Sequence, residues 1–478
     1  MPHSGLKCLS GLAAMCAVVA CSPVPYTARP LDPDATAAAF QQRSTDADGL
    51  RQFAAANDVD VAAWPPAQWG LRELTLVALY FNPDIRTARA RAEVARAELS
   101  TAAHSQAWAA KIGPEYHSRE LPEDKGPWTL GLQLEIPLVA QDKKSARTER
   151  GAFLADAADL DIADAAWTVR ARVRDRYLDL LASRDMLASL DAQVEARKEM
   201  LALVERRVEA GMLSSHELGV ERIALSQQEL LRAQESAKRQ RAMGELATAM
   251  GLPLEVAQRM VIRFDARESA GADMDAGELR RAALRNRLDV HRRLLEFGAA
   301  DAEVKAAVAA QNPDITFGPG YAWDQGDNVW SLAVGMTLPS GQARAGVREA
   351  VARRELAAEN FSATQAGAIS SAERTAAQYR LAFERVVGAE RQLQLQRAQE
   401  GRTLRQFEKG TSDRMQRVAA RLDTLASESG AQAALADLRQ SIAHLEDSIQ
   451  RPLLGDFSDL PDVRITRSAG VASDAGKP

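Results

Sequence analysis

The segment WTLGLQLEIPL, from Trp128 to Leu138, alternates apolar residues with polar or small ones. Successive side chains of a β-strand point to opposite faces, so the segment predicts a strand with one apolar and one polar face. About ten residues with this pattern are typical of a strand in a transmembrane barrel, and a half-buried hairpin of a soluble protein is the alternative. The residues on its apolar face are Trp128, Leu130, Leu132, Leu134, Ile136 and Leu138.

The segment WSLAVGMTLP, from Trp330 to Pro339, repeats the pattern. An alternating segment also precedes each of the two, so the chain is predicted to contain two hairpins, at 112–138 and 314–338. Tryptophans at the strand ends are typical of the aromatic girdle of a membrane barrel. Together the two hairpins are predicted to present these side chains to lipid: Trp128, Leu130, Leu132, Leu134, Trp330, Leu332, Val334 and Met336.

The hairpins belong to a larger internal repeat. Gly113-Pro114-Glu115-Tyr116 corresponds to Gly318-Pro319-Gly320-Tyr321, at nearly the spacing that separates the two tryptophan segments. Further anchors follow in the same order in both copies, which is the signature of a duplicated unit. We therefore predict a first repeat at 71–251, a linker at 252–275 and a second repeat at 276–450. The further anchors are Leu79 to Asp84 with Leu284 to Asp289, Tyr177 with Tyr379, and Gly211 with Gly410.

Each repeat also contains a very long helix. The stretch from Asp142 to Val208 lacks proline, and its apolar residues are three, four or seven positions apart, as in helices that pack side by side. About 67 residues at 1.5 Å each give a rod of about 100 Å. The second rod is predicted from Gln342 to Lys409. A helix precedes each hairpin, at Leu71 to Ala110 and Gly277 to Ala310, and return helices end at Met250 and Ile449.

The N-terminal residues 1–20 are predicted to be a signal peptide, because the apolar run Leu9 to Ala20 is too short to span a bilayer as a helix. It ends in Val18-Val19-Ala20-Cys21, which resembles the lipobox of bacterial lipoproteins. That resemblance implies lipid attachment at Cys21, and an ordinary signal peptide with a chance cysteine is the alternative. Residues 21–70 are predicted to form a lipid-anchored tether and equatorial segment, and residues 451–478 a disordered tail.

Four strands cannot close a barrel, and an open sheet edge is not stable in lipid. Copies of the chain must therefore pool their strands, which gives eight strands in a dimer or twelve in a trimer. This reasoning does not choose between the two. The predicted fold class is mainly α with a small transmembrane β part, in which long coiled-coil rods carry four β-strands per chain.

The composition argues against several other functions. Aromatic residues make up 5%, charged residues 26%, and the net charge is −5, without a basic segment suited to nucleic acid. We find no catalytic motif, no metal-binding histidine pair and no phosphate-binding glycine loop, so we expect no enzyme activity, cofactor or metal site. The basic cluster from Lys143 to Arg150 is interpreted as a solvated helix start, with lipid headgroup contact as the alternative.

The order of these motifs from residue 71 to 450 resembles the TolC-like outer-membrane efflux factor family. The resemblance implies a homotrimer with a twelve-stranded barrel in outer-membrane lipid and a periplasmic helical tunnel. It also implies a passive conduit that works with a periplasmic adaptor (membrane fusion) protein and an inner-membrane efflux pump. The segment Trp69-Gly70-Leu71 looks like the heavy-metal branch. No sequence feature identifies the cargo, and heavy-metal ions and drugs are the two classes that we expect. A lipid-anchored periplasmic structural or adaptor protein built from coiled coil is the alternative.

The helix tips are the predicted functional ends of the tunnel. The resemblance suggests adaptor contact at the breaks between rod and return helix, namely at Gly211, Gly410, Thr411 and Ser412. The family's aperture carboxylates, six and nine positions after the second tip glycine, are replaced here by Gln416 and Ala419. Asp413 and Arg414 are therefore the candidate gate, and the alternative is that Asp413 only caps a helix.

Overall fold

The computed structural model describes residues 26–118, 126–138, 140–264, 275–324, 327–337 and 341–453. The chain divides into two compact units, Met1–Arg43 and Ser44–Pro478. The described part of the first unit contains helix α1 (Pro33–Gln41), which begins with proline and is capped by Asp32, whose carboxylate accepts from the Asp34 N–H at 2.9 Å. The predicted lipid attachment site, Cys21, lies outside the described residues.

The second unit contains two similar series of elements, each with two short helices, two strands and two long helices. The predicted tail lies outside the described residues from position 454 onward. The elements are α2 (Asp48–Ala56), α3 (Leu71–Phe81), α4 (Pro83–Ala103), β1 (Ala109–Tyr116), β2 (Trp128–Leu138), α5 (Gln141–Glu209), α6 (Ser215–Met250), α7 (Leu254–Gln258), α8 (Ala276–Asn286), α9 (Leu288–Ala309), β3 (Asp314–Asp324), β4 (Asp327–Thr337), α10 (Gly341–Glu408) and α11 (Arg414–Ile449).

The predicted helix from Leu71 to Ala110 is wrong in two ways. It is broken at Asn82, whose extended backbone and side chain cap α4 by accepting from the Asp84 N–H at 2.8 Å, with Pro83 as the first helical residue. It also ends at Ala103, because β1 begins at Ala109. The second predicted helix, from Gly277 to Ala310, is likewise divided, at Arg287.

The backbone of Arg287 is extended, and its guanidinium forms two hydrogen bonds with the Asp289 carboxylate, at 2.9 and 2.6 Å. This side-chain interaction occupies the position in the second repeat that corresponds to the Asn82 cap in the first repeat. The short helix before each hairpin helix is therefore a feature of both repeats.

The two rods extend over 69 residues in α5 and 68 in α10, or about 100 Å each. Both end at a glycine with a left-handed backbone, Gly211 at φ 70° and Gly410 at φ 73°. Few residues other than glycine adopt this conformation, which reverses the chain toward the return helices. None of the helices in the described ranges is long and apolar enough to cross a membrane.

The four strands form one antiparallel sheet in the order β1-β2-β3-β4. Leu132 of β2 is paired with Ile112 of β1 on one side and with Tyr321 of β3 on the other. The two repeats therefore meet at the β2–β3 pair, and β1 and β4 are the edges of the sheet within the chain.

The core of the second unit lies along α5 between Ala166 and Leu180. There α3, α5 and α6 bury apolar side chains such as Val77, Val173 and Leu246. The described part of the linker joins this core. The Trp69 N–H donates to the Val261 carbonyl at 2.8 Å, and the Tyr177 hydroxyl donates to the Arg263 carbonyl at 3.0 Å. α5 also packs against α4, α9 and α11, so it is the helix that connects both repeats.

Candidate channel wall and periplasmic tips

The apolar face of the sheet is largely exposed within the chain. Among the residues predicted to face lipid, Leu132 is 49% exposed, Val334 66% and Trp330 80%, whereas Leu134 is partly buried. The strands pack mainly against one another and continue into helices at one end only. A patch of this size and composition marks a surface that contacts lipid or another protein.

Aromatic side chains pair near one end of this face. The rings of Tyr116 and Trp128 lie 5.0 Å apart, and those of Tyr321 and Trp330 lie 4.9 Å apart. Corresponding positions of the two repeats thus carry equivalent pairs, at the end of the sheet remote from the long helices. Tyrosine and tryptophan at one level of a sheet are typical of a membrane interface.

The opposite face of the sheet is polar. Lys111 and Glu135 form an ion pair at 2.5 Å across β1 and β2. The Thr129 hydroxyl donates to Asp324 at 2.5 Å and lies 3.0 Å from the His117 ring nitrogen Nε2. Side chains of this kind suit a water-filled interior.

The basic residues below the strands are engaged within the chain, unlike the solvated helix start that the sequence predicts. The Lys143 ammonium donates to the Asn312 carbonyl at 2.8 Å and to Asp314 at 2.7 Å. The Arg147 guanidinium donates to the Ala102 carbonyl at 2.9 Å, at the end of α4. These contacts join the start of α5 to the end of α4 and to the start of β3, at the level where helices become strands.

The tip residues of the second repeat form a compact turn. The Thr411 hydroxyl donates to the Gln406 carbonyl at 3.0 Å, and the Ser412 hydroxyl donates to the Gln416 side chain at 2.7 Å. A Cβ atom added at Gly211 or Gly410 would have no heavy atom of a non-adjacent described residue within 4 Å. The left-handed backbone, rather than crowding, is therefore what requires glycine at both tips.

Asp413 caps α11. A capping role was the alternative to a gate role for this residue. Its carboxylate accepts from the Gln416 N–H at 2.8 Å and also pairs with Arg207 of α5 at 2.9 Å. The hydrogen bond from Gln416, assisted by the Arg207 guanidinium, lowers the pKa of Asp413 below its ordinary value. Gln416 thus completes a capping box with Asp413. Its side chain is a neutral amide, so it cannot supply a carboxylate at this position.

Arg414 joins the same two helices through a second contact. Its guanidinium lies 2.8 Å from the Glu199 carboxylate of α5, and Arg417 donates to the same carboxylate at 3.1 Å. Arg417 also lies over the Phe407 ring, 5.0 Å from its centroid. The start of α11 is therefore tied to the end of α5 by partially exposed ion pairs within one chain.

A buried ion cluster joins α5 to the other end of α11. Arg174 and Glu446 are both fully buried, with 3.1 Å between guanidinium and carboxylate, and Arg174 also donates to Asp447 at 2.6 Å. Burial alone would lower the pKa of Arg174, but the hydrogen bond to Asp447 and the nearby carboxylates outweigh it and raise the pKa. Arg170 also pairs with Glu446.

No pattern in the sequence marks this cluster, nor Glu199, Arg207 and Arg417. Within the ranges that the structure describes, no group of three or more His, Cys, Asp or Glu side chains is arranged to hold a metal ion.

The chain is similar to known outer-membrane proteins. The family model for outer membrane efflux proteins matches residues 77–252. No match was found among curated proteins.

Several solved structures share the fold. The outer-membrane channel OprN is 22% identical, with 80% of this chain and 90% of OprN covered and a TM-score of 0.66. VceC from Vibrio cholerae is 17% identical, with 82% and 100% covered and a TM-score of 0.66. The CmeC channel from Campylobacter jejuni is 15% identical, with 91% and 96% covered and a TM-score of 0.66. These similarities confirm the predicted fold class of long helices with four strands per chain.

Proposed function

We infer that this chain, a relative of the TolC-like outer-membrane efflux proteins, is the outer-membrane channel subunit of an efflux system. The observation that carries this conclusion is the exposed apolar face of a four-stranded sheet whose strands β2 and β4 lead into helices of about 100 Å. Such a chain contributes wall to a barrel and to a tunnel, so its role is that of a passive conduit.

Closure of the barrel requires several copies of the chain. Strands β1 and β4 are sheet edges, and unpaired backbone groups are too costly to expose to lipid. Three copies supply twelve strands, as the family resemblance implies. A homotrimer in the outer membrane, extending into the periplasm, is the assembly that we propose.

The rival interpretation is a lipid-anchored periplasmic structural or adaptor protein. Such a protein would leave the apolar face of the sheet in water, with Leu132, Leu332 and Val334 each about half exposed or more. Soluble proteins rarely expose contiguous apolar patches of this kind. The channel interpretation places the same face in lipid.

The channel would work with partner proteins at its periplasmic end. The tip residues Gly211, Gly410, Thr411 and Ser412 would contact a periplasmic adaptor, through which the channel receives cargo from an inner-membrane pump. Cleavage before Cys21 and lipid attachment there would add a second means of membrane attachment to the one that the barrel supplies. The cargo would be metal ions or drugs, and selectivity would lie mainly in the pump.

We further propose that Asp413 and Arg414 hold the tip in a closed state. The support is their position at the first residues of α11 and their pairing with Arg207 and Glu199 of α5. Opening would separate these partially exposed pairs. The buried Arg174–Glu446 cluster would stay intact, because breaking a buried pair costs more than breaking an exposed one.

Arginine substitutions on the two faces of β2 test the membrane assignment. Leu132→Arg should weaken insertion by about 2–4 kcal/mol if the residue lies near the bilayer midplane. Gln133→Arg adds the same charge at the next position and should have a smaller effect, because its side chain faces water. Folding into detergent or bilayers, followed by heat-modifiable mobility, measures the difference. Equal insertion of both variants would refute the lipid-facing assignment.

A further inference from the structure

Two helices lead to and from the edges of the sheet, and each has a face without a partner in the described residues. Helix α4 precedes edge strand β1, and helix α10 follows edge strand β4. If strands of neighbouring copies pair at these edges, α4 of one copy must lie beside α10 of the next. The charges on the two faces then have to be compatible.

The inner face of α4 packs against α5. Ala88 and Ala92 are buried there beside Ile162. Glu98 is six positions after Ala92 and ten after Ala88, which places it about 120° and about 80° around the helix from these two residues. Its side chain is exposed and forms no hydrogen bond or ion pair with another described residue.

Helix α10 presents the complementary charge. Arg353 and Arg354 pair with Glu303 and Asp301 of α9, so they mark the side of α10 that faces its own chain. Arg344 and Arg348 are one turn apart on the opposite side, and both are exposed. Within the part of the chain that the structure describes, neither forms an ion pair. Arg344 lies in the first turn, where the helix dipole disfavours a cation.

The internal repeat indicates which residues should meet. The junction between β2 and β3 inside the chain brings α5 beside α9, where Arg150 lies 3.5 Å from Glu303. Gly113 and Gly318 are 205 positions apart, and the same spacing relates Glu98 to Glu303. Trp128 and Trp330 are 202 positions apart. The same spacing relates Arg150 to position 352, which is one helical turn after Arg348.

We propose that Glu98 of one copy forms an ion pair with Arg348 of the next copy, with Arg344 as a second cation on the same face. This contact would reproduce between copies the Arg150–Glu303 pair that joins the two repeats within a chain. The proposal rests on the proposed multimeric channel and names the helix faces through which its copies meet.

Thiol cross-linking tests the contact in the full chain. Ion-paired glutamate and arginine residues can lie too far apart for a direct disulfide, so the reagent is a bifunctional maleimide that spans the length of the two side chains. The double variant Glu98→Cys/Arg348→Cys, treated with this reagent in outer membranes, should give covalently linked dimers and trimers. The control variant Glu98→Cys/Arg391→Cys places the second cysteine about 65 Å further along α10 and should give at least tenfold less product. The parent chain measures the background from its native cysteines.

Trimer formation by native mass, with no more cross-linking of the test pair than of the control pair, would overturn the proposed contact and leave the channel function standing. Absence of any multimer would overturn the proposed function as well.

Charge reversal tests the same contact by a second readout. Glu98→Arg and Arg348→Glu should each lower the fraction of trimer that survives heating several-fold, and the combined variant should recover most of it. A combined variant no better than the worse single variant would contradict the ion pair.

Discussion

Glu199 connects the proposed gate residue Arg414 to the end of α5. Its carboxylate lies 2.8 Å from the Arg414 guanidinium and 3.1 Å from that of Arg417. Glu199→Gln keeps the size of the side chain and removes both ion pairs, while the cap of α11 at Asp413 is untouched. We therefore expect the variant to loosen the closed tip without unfolding the rod.

The expected size of the effect follows from exposure. The side chains of Glu199 and Arg417 are 37% and 34% exposed, so each pair contributes about 0.2–1 kcal/mol, the range for pairs near the surface. Two pairs in each of three copies give about 1–6 kcal/mol for the closed state. An intermediate value of about 3 kcal/mol would increase the open population roughly a hundredfold, since 1.4 kcal/mol corresponds to a factor of ten.

Single-channel conductance in planar bilayers measures this change, and uptake of a large antibiotic by cells measures it independently. Glu195→Gln is the matched control. Glu195 lies one turn away on α5, and among the described residues it pairs with Lys198 of the same helix alone, at 2.9 Å. The Glu199 variant should conduct more and admit more antibiotic than the control. Equal conductance and equal uptake of the two variants would refute a role of this pair in closure.

Three further predictions concern the anchor and the tip. Mass spectrometry of the mature N-terminus should show a lipid-modified Cys21, whereas a chain that begins unmodified at another residue would contradict lipidation. Asp413 has a lowered pKa, so its stabilisation of the tip should be complete above the ordinary value of about 4 and be lost as the pH falls through the lowered pKa. Conductance at decreasing pH should show an acid-induced opening that Asp413→Asn abolishes, and persistence of that step in the variant would assign it to another group. Gly410→Pro should abolish efflux without lowering trimer abundance, because proline cannot adopt φ 73°. Loss of the trimer itself would contradict a purely local role of the tip.

The sequence predicts the strands and rods well because their patterns are periodic. The alternation over Trp128 to Leu138 separates apolar from polar side chains only if the segment is a strand with two different faces. A proline-free run with apolar spacings of three and four favours one long helix. The division of the first helix also had a local signal, since Asn82 followed by Pro83 is a typical helix start. At Arg287 no such signal exists, because the break there depends on a side-chain pairing.

The contacts of the tip and of the buried cluster could not be predicted from the sequence. Glu199 and Arg414 are 215 positions apart, and Arg174 and Glu446 are 272 apart. Only the packing of α5 against α11 brings them together. Arginine and glutamate are rarely buried, so nothing in the sequence distinguishes Arg174 and Glu446 from solvated residues of a helix surface.

The mass of the assembly extracted in mild detergent tests the central claim most directly. Four strands with two open edges cannot remain alone in lipid, so native mass spectrometry should find three copies of the mature chain, and heating should release single chains. A chain that is found as a single copy, or that leaves the membrane without detergent, would contradict the channel account.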